Sequence, residues 1–217
     1  KYQPITEKLT MATILRKWSY QYQWLYDAIA QFSALTVGGE ARFRQLALKG
    51  LSIDKNTSIL DLCCGAGQTT QFLVKYSDQV TGLDASPVAL ARAQKRVPQA
   101  QYVEGLAEEL PFSDNSFDLV QTSVALHEMK PEQLTQILQQ VYRVLKPGGT
   151  FACIDLHQPH NPIFVPGINL FMTLFETETA WQFVQTNLPE KLSAIGFKNC
   201  QQTLHAGGSL QVVQAQK

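Results

Sequence analysis

From Thr57 onward the chain reads as an α/β domain, on three observations. Short apolar runs rich in β-branched residues alternate with amphipathic segments. A small-residue turn joins the first such run to the segment that follows it. Two closing strand-like runs flank Gly207-Gly208. Strand–helix alternation at this spacing implies a parallel sheet covered by helices on both faces, here five units ending in a hairpin.

Upstream of this pattern, residues 5–50 lack strand-like alternation and read as helical, with Gly38-Gly39 as a break. Ser58–Leu62 (SILDL) is the first strand candidate, followed by a Gly-containing turn and a helix over 67–76. Gln79–Leu83 is the second strand. Ser86-Pro87 then supplies an N-cap and an N1 proline for a helix that Pro98 stops. Gln101–Glu104 is the third strand, and the turn-rich Ser113–Ser116 leads into the fourth, Phe117–Ser123. Pro131 opens a helix whose Leu134, Ile137, Leu138, Val141 and Leu145 share one face. Lys146-Pro147-Gly148-Gly149 ends it, and Thr150–Asp155 is the fifth strand. A helical insert follows from about Ile163 to Thr186, then a short helix over 189–194 ended by Gly196. Lys198–His205 and Ser209–Ala215 close the chain. No composition shift marks a second domain. Residues 1–217 therefore divide into a helical segment (1–50), a core (57–156), a helical insert (157–197) and closing strands (198–217).

Composition excludes several classes. The 217 residues suit one well-buried domain, and 45% hydrophobic with 17% charged is too apolar for disorder. Eighteen Lys+Arg against eighteen Asp+Glu leave no net charge, which argues against nucleic acid as a partner. Cys63, Cys64, Cys153 and Cys200 form no CxxC or Cys/His cluster, so no metal site is expected, and a reducing, cytoplasmic setting fits them. The N-terminus lacks a signal-peptide core, and the most apolar stretch, Ile163–Phe175, is too short to span a bilayer. Peripheral contact with a membrane stays open, as does the choice between monomer and homodimer.

The chemistry concentrates at the first turn. Ile59-Leu-Asp-Leu-Cys-Cys-Gly-Ala-Gly67 ends a strand and starts a helix, where small residues let backbone approach a ligand and the helix N-terminus offers N–H groups. Asp84 ends the second strand, 23 residues after Asp61, where a carboxylate can accept from both ribose hydroxyls of a nucleoside. A Gly pair is often just a turn and an Asp just a cap, but in this order and spacing they indicate nucleoside binding. A dinucleotide site would carry G-x-G-x-x-G under its pyrophosphate; the third glycine position here is Thr70, and Asp61 would repel phosphate. Beside the cationic methionine moiety of S-adenosylmethionine the same carboxylate is favourable.

ILDLCCGAG, LDASPVALARA, VEGLAEELPFSDNSFDLV and RVLKPGG together resemble successive motifs of the class I S-adenosylmethionine-dependent methyltransferases. Within that superfamily they are most similar to the ubiquinone/menaquinone-biosynthesis C-methyltransferases. The match is strong over 57–156 and weaker over 26–44 and the closing strands. The resemblance implies a Rossmann-like, mostly parallel seven-stranded sheet with a C-terminal antiparallel hairpin strand, an N-terminal helical lid, and S-adenosylmethionine converted to S-adenosylhomocysteine. It assigns Asp61, Gly65, Gly67 and Thr70 to the methionine side of the cofactor, Asp84 to the ribose, Leu106-Ala107 to the adenine, and Ser123 to the amino group, with Ala85 also among the cofactor-binding residues. Two positions depart from the family pattern. Cys63 replaces the first loop glycine, and Leu106 replaces an acid or amide, removing one polar contact of about 1–2 kcal/mol.

Methyl transfer asks the protein mainly to align the acceptor, exclude water and, for some acceptors, remove a proton. Candidate bases lie where a parallel sheet opens at its carboxyl ends: His127 and Glu128 after strand four, and Asp155, His157 and His160 after strand five. His127 and His157 are the catalytic candidates, although each could equally be a loop residue bonded to backbone. Tyr20, Tyr22 and Tyr26, with Trp18 and Trp24, either dock a helix or roof an acceptor; His160 joins these tyrosines as a substrate candidate. Ile163–Phe175 carries nine large apolar side chains in thirteen positions and could be a buried helix, a pocket wall, a dimer surface or a membrane contact. The expected activity is methyl transfer to a small apolar or aromatic acceptor such as a quinol. The alternative is a non-catalytic S-adenosylmethionine-binding sensor or subunit.

Overall fold

Seven strands form one sheet in the computed structural model of the chain, which describes residues 37–159, 161, 165–175 and 177–217. They are β1 (Ile59–Leu62), β2 (Val80–Asp84), β3 (Gln101–Glu104), β4 (Phe117–Ser123), β5 (Leu145–Leu156), β6 (Lys198–His205) and β7 (Leu210–Gln216), in the order β3-β2-β1-β4-β5-β7-β6. β1 to β5 run parallel, while β7 pairs antiparallel with both β5 and β6. The strand order therefore reverses between β1 and β4, and the crevice at their carboxyl ends is where such sheets bind ligands.

Helices cover both faces, which explains why β1 and most of β4 are buried without alternation. On one face Ile59, Leu119, Ala152, Ile154 and Val212 pack with Leu46, Leu48, Leu73 and Val97. These come from the segment after α1 (Glu40–Gln45), from α2 (Thr70–Tyr76) and from the end of α3 (Pro87–Arg96). On the other face Leu60, Leu62, Val120, Phe151, Cys153 and Val213 pack against α4 (Pro131–Val144), α6 (Glu178–Phe183) and α7 (Leu188–Ile195). α5 (Val165–Phe175) precedes α6.

Ser86 caps α3 as its sequence predicts, accepting from the Ala89 N–H ahead of Pro87. Elsewhere the boundaries move for local reasons. α2 starts at Thr70, not 67, because Gly67 lies in the left-handed region at φ 79° and belongs to the turn. α4 ends at Val144, so Leu145 is the first residue of β5; Lys146 precedes a proline, and that position favours extended backbone. The insert over 163–186 is two helices, since Thr177 is extended at ψ 173° and caps the second. Of the helical segment expected over 5–50, residues 1–36 lie outside the described residues. Among the described residues no helix is long and apolar enough to cross a membrane.

Candidate active site

The turn after β1 is built from alternate left-handed residues: Cys63 (φ 57°), Gly65 (φ 54°) and Gly67 (φ 79°). Glycine takes that conformation freely, whereas Cys63 does so at a cost of about 1–2 kcal/mol. A Cβ at Gly67 would stand 3.3 Å from the Ala93 backbone, so the turn lies directly on α3. Cys64 N–H donates to the Leu83 carbonyl (3.0 Å), and Arg96 Nη1 donates to the Ala66 carbonyl (3.0 Å). These bonds fix the loop against β2 and α3.

Asp84 ties the same pieces together from its side chain. One carboxylate oxygen accepts the Gly65 N–H at 2.8 Å, and the other accepts the Ser86 N–H at 2.9 Å. Each oxygen keeps a second lone pair, and the residue is half-buried at the crevice. Ala85 beside it is exposed. Gly105 N–H donates to the Asp84 carbonyl, which brings the next loop alongside; there Leu106 is 51% exposed and Ala107 is buried.

Asp61 is buried under this turn and accepts a 2.6 Å hydrogen bond from Thr70 Oγ1. Burial pushes its carboxyl up to about 7, against the opposing pull of Thr70 and of the Arg44 guanidinium. Arg44 is 6% exposed, and its Nη1 donates to Ser123 Oγ at 3.2 Å. The Cys63 thiol is pushed up to about 12 by burial and then by the carboxylates of Asp84, Asp61, Glu128 and Glu108. Asp61 and Asp84 thus flank the turn, and a cation is the ligand charge they favour.

On the opposite face, His127 lies in the turn Leu126–Glu128 after β4. Its Nδ1 stands 2.6 Å from Asp155 Oδ1, with both side chains buried. Asp155 Oδ2 accepts the Ala125 and Leu126 N–H groups at 3.2 and 2.8 Å, while Oδ1 also accepts the Leu156 N–H. Phe183 of α6 presents its ring edge-on to the imidazole at 6.5 Å. His157 Nδ1 is instead within 2.9 Å of the Gly208 and Gln158 carbonyls, and the residue borders a cavity of about 60 Å³ with Met172 and Trp181.

Asp61, Gly65, Gly67, Thr70, Asp84, Ala85, Leu106, Ala107 and Ser123 therefore gather around the carboxyl ends of β1 to β4, with His127 across the sheet. Tyr20, Tyr22, Tyr26 and His160 lie outside the described residues. Sequence reading gave no role to Arg44 or Gln121, although a glutamine inside the apolar run FDLVQTS is a visible signal.

A strand–turn–helix with an acid beneath it and another at the end of the second strand is an arrangement suited to a nucleoside in a Rossmann-like fold, and comparison with known proteins gives the class. A family model described as a methyltransferase domain matches residues 59–149. An "uncharacterized methyltransferase" of Synechocystis sp. is 57% identical over 205 residues, covering 94% of this chain and 97% of that one. The demethylmenaquinone methyltransferase of Lactiplantibacillus plantarum is 34% identical over 164 residues, 69% of this chain and 68% of that one. The S-adenosylmethionine-dependent methyltransferase structure from Mesorhizobium loti superposes with a TM-score of 0.63 at 21% identity, over 82% of this chain and all of that one (100%). The chain belongs to the class I S-adenosylmethionine-dependent methyltransferase family, whose cofactor is S-adenosylmethionine.

Proposed function

We propose that the chain transfers a methyl group from S-adenosylmethionine to a small apolar or aromatic acceptor, with a quinol as the favoured class. The observation that carries the transferase reading is the pair Asp61 and Asp84 on either side of one left-handed turn, an anionic setting for a cationic nucleoside. The residues present fit that cofactor. Asp84 has lone pairs to spare for two ribose hydroxyls, and Ala85 and the exposed Leu106 offer small and apolar surface to an adenine. Ala107 supplies backbone, Gly65 and Gly67 allow close approach, and Thr70 holds Asp61 in place. Ser123 stands at the end of β4 for the amino group. The cofactor, when bound, supplies an electrophilic methyl group for in-line displacement.

The acceptor class draws on relatives whose names specify demethylmenaquinone, at 32–34% identity. A quinol ring carbon becomes nucleophilic once a neighbouring hydroxyl loses its proton, and His127 is placed to take it. Asp155 Oδ1 is the acceptor of that 2.6 Å bond, so Nδ1 carries its hydrogen and the imidazole is held in one orientation. His157, with Nδ1 engaged by backbone carbonyls, is the weaker candidate.

The test is anaerobic incubation with S-adenosylmethionine and a demethylmenaquinol, with product read by mass spectrometry as the gain of one CH2. His127→Ala is expected to slow turnover by about 10²–10⁴ with little change in cofactor affinity. Quinols that stay unmethylated while an unrelated small molecule is turned over would refute the acceptor class.

A further inference from the structure

Asp155 ends β5 with its side chain fully buried, on the face it shares with Cys153 beneath α4 and α6. Its carboxylate accepts from four donors: the Ala125, Leu126 and Leu156 N–H groups and His127 Nδ1. His127 supplies the only side-chain donor among the described residues, and no lysine or arginine among them pairs with the acid. Gln211, its register partner on β7, turns instead to the Leu156 carbonyl and to Gln202. A carboxylate removed from water and met mainly by backbone dipoles is costly. That cost is offset best when the imidazole opposite carries a positive charge.

We propose that Asp155 is the positioning residue of the acceptor site, holding the His127 hydrogen on Nδ1 and stabilising the imidazolium that forms when the acceptor gives up its proton. This role rests on His127 serving as the base, and adds what that base requires. Ala125 and Leu126 lead into the turn that carries His127, so one carboxylate fixes both the ring and the backbone beneath it. As the acceptor hydroxyl passes its proton to Nε2, the Nδ1 hydrogen stays in place. The new charge then faces an anion 2.6 Å away, and Asp155 itself is never protonated. Phe183 packs against the imidazole and keeps the pair in a low dielectric.

Asp155→Asn tests this with little change of shape. An amide N–H facing Nδ1 moves the ring hydrogen to Nε2, the nitrogen that must receive the proton. Turnover of a demethylmenaquinol is expected to fall about 10²- to 10³-fold, with KM and S-adenosylhomocysteine affinity within about threefold. Adding Asp155→Asn to His127→Ala is expected to cost no more than about threefold beyond His127→Ala alone, because the acid acts only through the imidazole. In the wild type, the Nδ1–H proton is expected as a far-downfield NMR resonance, lost in His127→Gln. Losses that multiply in the double variant, or turnover of Asp155→Asn within about threefold of wild type, overturn the positioning role and leave His127 as the base. If Asp155→Asn does not fold, the wild-type spectrum decides: the resonance supports the pair, and its absence overturns it. Wild-type protein inactive on every quinol overturns the base and its positioning residue together.

Discussion

With S-adenosylmethionine beside Asp61, as proposed, cofactor binding is expected to be linked to a proton. The Asp61 carboxyl, ordinarily at 3.8, sits at about 7 in the folded chain, mainly because burial penalises the anion. The sign follows from comparing the two states. Below about pH 4 the group is protonated folded and unfolded, and contributes nothing. Between 3.8 and about 7 only the unfolded chain ionises, so stability falls as pH rises, by about 4 kcal/mol once pH passes 7. A cationic ligand reverses the preference: it needs the carboxylate, and expels the proton. Affinity for S-adenosylmethionine is therefore expected to fall about thirtyfold from pH 8 to pH 5.5, with about one proton released per ligand near pH 6. Titration calorimetry in two buffers of different ionisation enthalpy counts that proton. Asp61→Asn should bind more weakly at pH 8 but lose most of the pH dependence, and its stability relative to wild type should improve by about 3 kcal/mol between pH 5 and pH 8. Wild-type affinity that is flat over this range, or a slope unchanged in Asp61→Asn, would refute the reasoning.

Three other outcomes follow from the geometry. Asp84→Ala removes the acceptor of both the Gly65 and Ser86 N–H groups and should weaken S-adenosylmethionine at least about tenfold by calorimetry; equal affinities would dismiss the ribose role. The Cys63 thiol, half-buried and held up at about 12, should react with a thiolate-selective disulfide reagent at pH 8 more slowly in the native protein than in urea, and an equally fast native reaction would contradict the raised thiol. Gly82→Ala places a Cβ 2.9 Å from both Cys64 Sγ and the Tyr102 ring, so urea titration should show a loss of about 1–3 kcal/mol; an unchanged midpoint would mean that the ring moves aside freely.

What could be read from the residues was what is local along the chain. β4 was expected over Phe117–Ser123 and spans those residues, because an apolar run bounded by a turn and a loop needs no distant partner to be recognised. The first turn, with Asp61, Gly65, Gly67, Thr70 and Asp84, is likewise one strand–turn–helix and the end of the next strand. Arg44 and Asp155 behave differently. Arg44 meets Ser123 across 79 residues and His127 meets Asp155 across 28, and only the order and register of the strands decide those meetings. Asp155 reads in the sequence as one more candidate base, since its neighbours along the chain are silent about the loop that turns back over it. The split of the 163–186 insert escaped for a third reason: apolar residues nearly all round over 163–175 give no periodicity to interrupt, and the extended Thr177 that caps the second helix is one residue in a polar run.

β4 has a second property. Gln121 and Ser123 leave it toward the cofactor side, Val120 leaves it toward the helices that cover His127, and the chain then runs straight into the His127 turn. Opposite faces of a strand are filled independently, so substitutions around His127, Asp155 and Phe183 are expected to leave the groups beside Asp61 undisturbed. A one-residue slip of β4 would lose both at once, because each side chain would change face. One strand thus anchors two surroundings at the carboxyl end of the sheet that can vary separately, provided its register holds.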